Sequence, residues 1–185
     1  MEETDIALMA RIKTGDAKAF ELLLARHQKP VYNLALRFLG DPDEAEDITQ
    51  NTFLRILKAS ATYAPEAKFT TWLYTIVRNL CFNVLRSRKS AEIVSMDNEY
   101  LPDLPAAEED QITRISQLQL RETVVRAIRK LPKNMQMAVI LSKYHGLQYD
   151  EIATIMDCSV NAVKLRIHRA KLILAQELKD LKRET

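Results

Sequence analysis

The residues best suited to binding another molecule lie near the C-terminus, where residues 160–171 carry several bases and no acid. The bases are Lys164, Arg166, Arg169 and Lys171. Lysine and arginine neutralise phosphates, and arginine also pairs with the edge of guanine in the major groove. This spacing predicts a helix face that binds duplex DNA.

The elements that position these bases form a predicted helix-turn-helix over Gln148 to Lys171. Ala153 is small enough for close helix approach, Asp157 and Cys158 make the turn, and Ser159 caps the second helix. The predicted inner face of that helix is Val160, Val163, Ile167 and Ala170. The residues predicted to point towards base edges are Asn161, Lys164, Leu165, His168 and Arg169, with Arg166 and Lys171 placed towards phosphates. An amphipathic hairpin with a solvated basic face is the plainer alternative.

A second set of residues mixes aromatic, amide and basic side chains over residues 69–88. The set comprises Phe69, Trp72, Tyr74, Phe82, Arg78, Asn79, Asn83, Arg86 and Arg88. Aromatic rings stack on unpaired bases, amides bind base edges and arginines neutralise phosphates, so the mixture suits single-stranded DNA. From the residues alone, a purely structural role for the aromatic rings is equally compatible.

A third pattern is the acidic helix start at residues 41–55, with Gln50, Asn51 and Arg55 left exposed. Its acids are Asp43, Glu44, Glu46 and Asp47. Carboxylates at a helix N-terminus are favoured by the helix dipole, so this pattern by itself indicates a solvated helix start and not an active site.

Apolar spacing and capping residues predict an all-α fold of two small helical domains. Thr4, Asp16 and Asp41 stand at predicted helix starts, and every glycine of the chain follows a predicted helix end. Pro30 is expected to kink or restart the second helix. The predicted divisions are a first domain at 1–89, an acidic linker at 90–111 and a helix-turn-helix domain at 112–185. Seven acids and no base lie between Glu92 and Asp110.

Several classes of protein are disfavoured by what the sequence lacks. The N-terminus has no basic segment followed by an apolar run, and no stretch approaches the roughly 18 apolar residues of a membrane span. We therefore expect a cytoplasmic protein without membrane insertion. Cys81 and Cys158 are expected to be buried reduced thiols, and the scattered histidines predict no metal or cofactor. No nucleophile is paired with a base, so we expect no enzymatic activity.

Taken together, the motifs resemble the extracytoplasmic-function class of the sigma-70 family across nearly the whole chain. In the first domain the resemblance rests on GDAKAFELLLARH, DPDEAEDITQNTFLRI and FTTWLYTIVRNLCFNVLR. In the second domain it rests on LPKNMQMAVIL, HGLQYDEIATIMDCS and VNAVKLRIHRAK. These blocks are similar to regions 2.1 to 2.4 and 4.1 to 4.2 of that family, in the same order.

The resemblance implies a non-enzymatic subunit that directs RNA polymerase to promoters in a stress or envelope response. Implied partners are core RNA polymerase, through its β′ clamp helices and β flap, promoter DNA and an anti-sigma factor. The residues implied to bind the clamp helices are Asp47, Gln50 and Asn51. Those implied to open the −10 element and hold a flipped base are Tyr63, Lys68, Thr71, Trp72, Arg78 and Asn79. The basic helix would read the −35 element, and the acidic linker would enter the RNA channel.

The chain departs from the family pattern in the recognition helix. It has Asn161-Ala162 and Leu165 where relatives often have glycine-threonine and a serine, which leaves the −35 sequence open. Lys133-Asn134-Met135 also differs from a more charged pattern. Two other functions remain: a stand-alone helix-turn-helix regulator that binds duplex DNA without polymerase, and an anti-sigma or adaptor protein that makes only protein contacts.

Overall fold

The structure is a computed structural model that describes residues 3–64, 67–91 and 123–181. In these ranges the chain forms α-helices and one 3₁₀ turn, without a strand. The elements are α1 Asp5–Lys13, α2 Ala17–Leu39, α3 Pro42–Ala59, the 3₁₀ turn Ser60–Thr62, α4 Phe69–Ala91, α5 at residues 123–130, α6 Lys133–Lys143, α7 Tyr149–Ile155 and α8 Val160–Leu181. The all-α prediction is confirmed.

The helices of the first domain begin at the predicted caps. Side chains of Thr4, Asp16 and Asp41 accept backbone N–H groups of α1, α2 and α3 respectively. Gly40 ends α2 with φ of 79°, a left-handed conformation that glycine adopts without strain. Of the two outcomes expected at Pro30, a kink or a restart, the restart does not occur, because α2 continues through that residue to Leu39.

The core of the first domain lies between α1, α2, α3 and α4. Its largest fully buried side chains are Leu8, Met9, Leu23, Leu34, Phe38, Ile56 and Leu73. Phe69 and Tyr74 are also buried, so two of the aromatic residues in the predicted DNA-binding set serve the core. Cys81 is a buried free thiol, and burial raises its pKa to about 12.

The second domain packs α7 and α8 against α6. Ala153 and Val163 are buried where the two helices of the helix-turn-helix meet. Val160 is 36% exposed, so its predicted inner position is wrong, because it is the first residue of α8 and lies at the end of the helix. Cys158 is a free thiol in the turn, and it is partly exposed where burial was expected.

The two domains are in contact, with α6 against α2 and α7 against α4. Residues 90 and 91, assigned to the predicted linker, are the last residues of α4. The rest of that linker lies outside the described residues, and the domain bounds remain a prediction.

Candidate nucleic-acid interface

The helix-turn-helix is fixed by caps at both of its helices. At the start of α7, the backbone N–H of Gln148 donates to Oε2 of Glu151 at 2.8 Å, part of a capping box. At the start of α8, the backbone N–H of Ala162 donates to Oγ of Ser159 at 3.1 Å. The left-handed turn between them has Asp157 at φ of 49°. These contacts set the direction in which α8 leaves the turn.

The outer face of α8 presents the predicted base-reading residues to solvent. Exposed side chains there are Asn161, Lys164, Leu165, His168, Arg169 and Lys171. Leu165 is 48% exposed, so it adds an apolar side chain to this face. The face therefore offers amide, cationic and apolar groups side by side, as a major-groove helix does.

Arg166 differs from its neighbours because it is anchored to the turn. Its Nη1 donates to Sγ of Cys158 at 3.1 Å, and the residue is only partly exposed. The sequence carried no signal for this contact, which fixes the guanidinium beside the first turn of α8.

A pocket of about 390 Å³ lies between the 3₁₀ turn and the first turns of α4. Tyr63, Thr71, Trp72 and Thr75 line it, and Thr154 of α7 completes the wall. The Tyr63 and Trp72 rings meet with centroids 4.8 Å apart, and Phe69 supports Trp72 from the core at 5.8 Å. Thr71 is only 4% exposed. The structure thus brings three of the predicted −10 residues to one cavity.

Lys68 precedes α4 and reaches the other domain. Its Nζ lies 2.9 Å from Oε1 of Glu151, and this hydrogen bond raises the pKa of Lys68. The pKa of Glu151 is lowered, first by the Gln148 backbone N–H and then by Lys68. No local pattern could have indicated a contact between residues this far apart in sequence.

Arg78 and Asn79 lie further along α4. Trp72 and Asn79 are seven residues apart, about two helical turns or roughly 10 Å along the same face. Arg78 donates from Nη1 to Oδ1 of Asn79 at 2.8 Å, and its guanidinium lies over the Phe82 ring at 5.0 Å. Arg78 and Asn79 therefore lie outside the pocket, further along α4 towards its C-terminal end.

The predicted polymerase-binding residues stand exposed on α3, next to an apolar groove. Asn51 donates to the backbone oxygen of Asp47 at 2.9 Å, and Gln50 donates to Oε1 of Glu46 at 3.2 Å. Gln50 also lines a groove of about 700 Å³ between α2 and α3.

Leucines in this groove were missed from the sequence. Leu54 is 54% exposed and Leu57 is 46% exposed, and both line the groove. The sequence could have indicated their exposure, because neither leucine falls on the buried face of α3. That face consists of Ala45, Ile48, Thr52, Phe53 and Ile56. Exposed leucines on an otherwise charged helix face mark a contact surface.

Within the described ranges, no cluster of histidine, cysteine and acidic side chains has the arrangement to hold a metal ion. In the same ranges, no helix is both long and apolar enough to cross a bilayer.

Comparison with known proteins matches both domains. The Sigma-70 region 2 family matches residues 23–91, and the Sigma-70 region 4 family matches residues 121–174. The RNA polymerase sigma-H factor of Pseudomonas aeruginosa is 32% identical over 99% of this chain and 98% of its own length. The extracytoplasmic-function sigma-E factor of Escherichia coli is 34% identical over 96% of each chain.

Solved structures share the fold. CnrH in complex with the cytosolic domain of CnrY superposes with a TM-score of 0.71, at 24% identity, over 96% of this chain and 99% of that chain. The sigma factor RpoE bound to the anti-sigma factor NepR from Bartonella quintana gives a TM-score of 0.72 at 22% identity. The match covers 88% of this chain and 98% of that chain.

The chain belongs to the sigma-70 family, in its extracytoplasmic-function class. It is a sigma factor, a non-enzymatic subunit that binds core RNA polymerase and directs promoter recognition, DNA melting and transcription initiation. The stand-alone regulator is not favoured, because the relatives span both domains.

Proposed function

We propose that the pocket at the start of α4 accepts a base of the −10 element once the strands have separated. The observation that carries this proposal is the cavity of about 390 Å³ beside the Tyr63 and Trp72 rings, which meet at an interplanar angle of 52°. Its volume falls in the range of about 300–1,000 Å³ typical of small-ligand sites. Flipping a base costs a few kcal/mol, and stacking on Trp72 and hydrogen bonds to Thr71 would offset that cost.

Beyond the pocket, Arg78 and Asn79 would hold the strand on the same face of α4. Asn79 is exposed, and its Oδ1 accepts a hydrogen bond from Arg78. Its side-chain N–H groups would donate to a base edge. Lys68 would contact the backbone next to the pocket, since 73% of its side chain is exposed. These roles rest on the family resemblance and on the shared face.

The outer face of α8 would read the −35 element as duplex. Asn161, Lys164, His168 and Arg169 would reach base edges, and Leu165 would contact a thymine methyl group. Arg166 and Lys171 would bind phosphates. Arg166 fits this role because Cys158 holds its guanidinium at the edge of the helix.

The exposed side of α3 would dock on the β′ clamp helices of core polymerase. Asp47, Gln50 and Asn51 supply polar contacts, and the groove with Leu54 and Leu57 supplies apolar surface for a helix of the partner. The second domain would bind the β flap.

An anti-sigma factor is a further proposed partner. It is supported by the solved neighbours, which are CnrH with the cytosolic domain of CnrY and RpoE with the anti-sigma factor NepR. By this analogy the chain would serve a stress or envelope response and act in the cytoplasm.

Run-off transcription tests these roles. Purified core polymerase is given a promoter library with and without the chain, and selected promoters are sequenced. We expect shared −10 and −35 elements only when the chain is present, and loss of −10 selection with Trp72→Ala. Tight, selective binding of the free chain to duplex promoters would instead support the stand-alone regulator.

A further inference from the structure

Asp5, the first residue of α1, is held by two basic side chains of α2. Its Oδ1 accepts a hydrogen bond from Nη1 of Arg26, and its Oδ2 lies 3.0 Å from Nε2 of His27. The side chain of Asp5 is only 18% exposed and that of His27 only 8%. Arg26 also donates from Nη2 to the backbone oxygen of Glu3 at 3.0 Å. The start of α1 is therefore fixed to the middle of α2 by a carboxylate that is mostly shielded from water.

The His27 ring connects this carboxylate with the aromatic wall of the pocket, formed by Tyr63 and Trp72. The centroid of the His27 ring lies 5.3 Å from that of Phe69, the first residue of α4. Phe69 is 3% exposed, and its centroid lies 5.8 Å from that of Trp72 and 6.3 Å from that of Tyr63. Two buried rings thus stand between Asp5 and the aromatic wall.

Tyr63 also lies close to α1 itself. The helix packs against the 3₁₀ turn Ser60–Thr62, which leads directly into Tyr63. Burial, and after it the negative charge of Asp5, raises the pKa of Tyr63. The Tyr63 hydroxyl is buried, and no group in the part of the chain that the structure describes hydrogen-bonds to it. The location of this ring therefore depends on its neighbours and not on a hydrogen bond of its own.

The contact of Asp5 with His27 supplies direction that the rings lack. Aromatic pairs tolerate a range of tilts, and the ring planes meet here at 49° for His27 with Phe69 and at 52° for Tyr63 with Trp72. A carboxylate that accepts from two fixed donors has a defined geometry. Desolvation offsets most of what a shielded ion pair gains, so the geometry is a larger contribution than stability.

We propose that Asp5 and His27 are positioning residues for the −10 base. Through the Phe69 ring they fix the aromatic wall of the pocket in the orientation that accepts an unpaired base. The proposal rests on the assignment of that pocket to the −10 element. Neither residue lines the pocket, so both act on DNA only through the aromatic wall. Helix α1 thereby contributes to promoter opening.

The test uses the full chain with Asp5→Ala, and Asp5→Asn is the conservative variant. Asparagine keeps an oxygen for Arg26 and offers an N–H group to His27, whose ring accepts at Nε2 when its proton is on Nδ1. Glu21→Ala is the matched control, because it removes the same charge from an exposed position on α2. Circular dichroism establishes helix content. If Asp5→Ala loses helix content, Asp5→Asn is compared with the wild type in its place.

Fluorescence of Trp72 reports on the aromatic wall directly, since the chain has a single tryptophan. Acrylamide quenching without DNA measures how well the ring is shielded. We expect a larger quenching constant for Asp5→Ala than for the wild type, an intermediate one for Asp5→Asn and an unchanged one for Glu21→Ala. His27→Phe keeps a ring but cannot bind Asp5, so it should match Asp5→Ala. Wild-type quenching in Asp5→Ala and His27→Phe would overturn the positioning role, whether or not the pocket accepts a base.

Permanganate footprinting with core polymerase then measures promoter opening, and filter binding at low temperature measures the closed complex. We expect Asp5→Ala to lower the open fraction about fivefold, the effect of one lost hydrogen bond, with unchanged closed-complex binding. Asp5→Asn should restore part of the opening. Loss of an acid by itself favours DNA binding, so net charge would not explain a fall in opening. Equal loss of closed and open complexes would overturn the positioning role.

Trp72→Ala separates this proposal from the assignment on which it rests. If Trp72→Ala reduces opening but Asp5→Ala does not, despite a larger quenching constant, the pocket assignment stands and the positioning role is overturned. If Trp72→Ala leaves opening unchanged, the pocket assignment fails, and the role of Asp5 and His27 in opening falls with it.

Discussion

The Tyr74 hydroxyl lies 3.0 Å from Nδ1 of His145, and this pair joins the two domains through uncharged side chains. Burial raises the pKa of Tyr74 to about 12. Burial, aided by the positive charge of Arg37, lowers the pKa of His145 to about 4. Both rings are therefore neutral at physiological pH, and protonation of His145 opposes the packed state.

We expect the free energy of unfolding to fall as the pH is lowered from about 6.5 to about 4. The folded pKa of His145 is below its ordinary value of 6.5, so the unfolded chain binds more protons in this window. From pH 7.5 to pH 5, His145 should lower the free energy of unfolding by about 2 kcal/mol. Urea unfolding measures this, with His145→Gln as the control that lacks the dependence. An identical pH response in both proteins would contradict the assignment.

Arg169→Ala and Lys171→Ala should have different effects on −35 recognition. If Arg169 reads a base edge, its loss should cost about 1–3 kcal/mol at one base pair and relax selection there. Lys171 faces phosphates in our proposal, so its loss should weaken binding to all DNA sequences alike. It should also reduce the salt dependence of binding. Holoenzyme binding to a set of single-base −35 variants at several salt concentrations measures both. Equal profiles for the two variants would refute this division of α8.

Asn79→Ala should impair promoter opening more than closed-complex binding. The lost hydrogen bond to an unpaired base is worth about 1 kcal/mol, so the open fraction should fall about fivefold. Permanganate footprinting reports opening, and filter binding at low temperature reports the closed complex. Ser87→Ala, at an exposed position about two turns further along α4, is the matched control. Equal loss in both measurements would place Asn79 in initial binding.

Leu54→Ala should weaken assembly with core polymerase without affecting the fold. Leu54 is 54% exposed in the free chain, and burial of its remaining surface on the clamp helices should contribute about 1–2 kcal/mol. Titration of labelled sigma factor with core enzyme measures the change. Lys58→Ala, an exposed neighbour on the same helix, should bind as the wild type does. Unchanged affinity for Leu54→Ala would exclude the groove from the interface.

Local features were predictable because local chemistry determines them. Thr4, Asp16 and Asp41 cap their helices as predicted, and the helix-turn-helix follows from Ala153 and Ser159. Val160 was misplaced because periodicity assigns a face to a residue without showing that the residue lies at a helix end.

The contacts between domains were beyond sequence reasoning. Gln136 and Arg37 are 99 positions apart, and neither residue type signals the other. The polymerase-binding and −10 roles were assigned by family resemblance, whereas the outer face of α8 was predicted from residue spacing. The structure adds that Tyr63, Thr71 and Trp72 share one cavity with Thr154.

The two carboxylate oxygens of Glu151 accept hydrogen bonds from different domains. Oε2 accepts the N–H of Gln148 within its own domain, and Oε1 accepts Lys68 from the other domain. Detachment of the domains breaks only the second bond. The bond of Glu151 to Gln148 is local to α7, so the first turn of this helix stays capped whether or not Lys68 is in place.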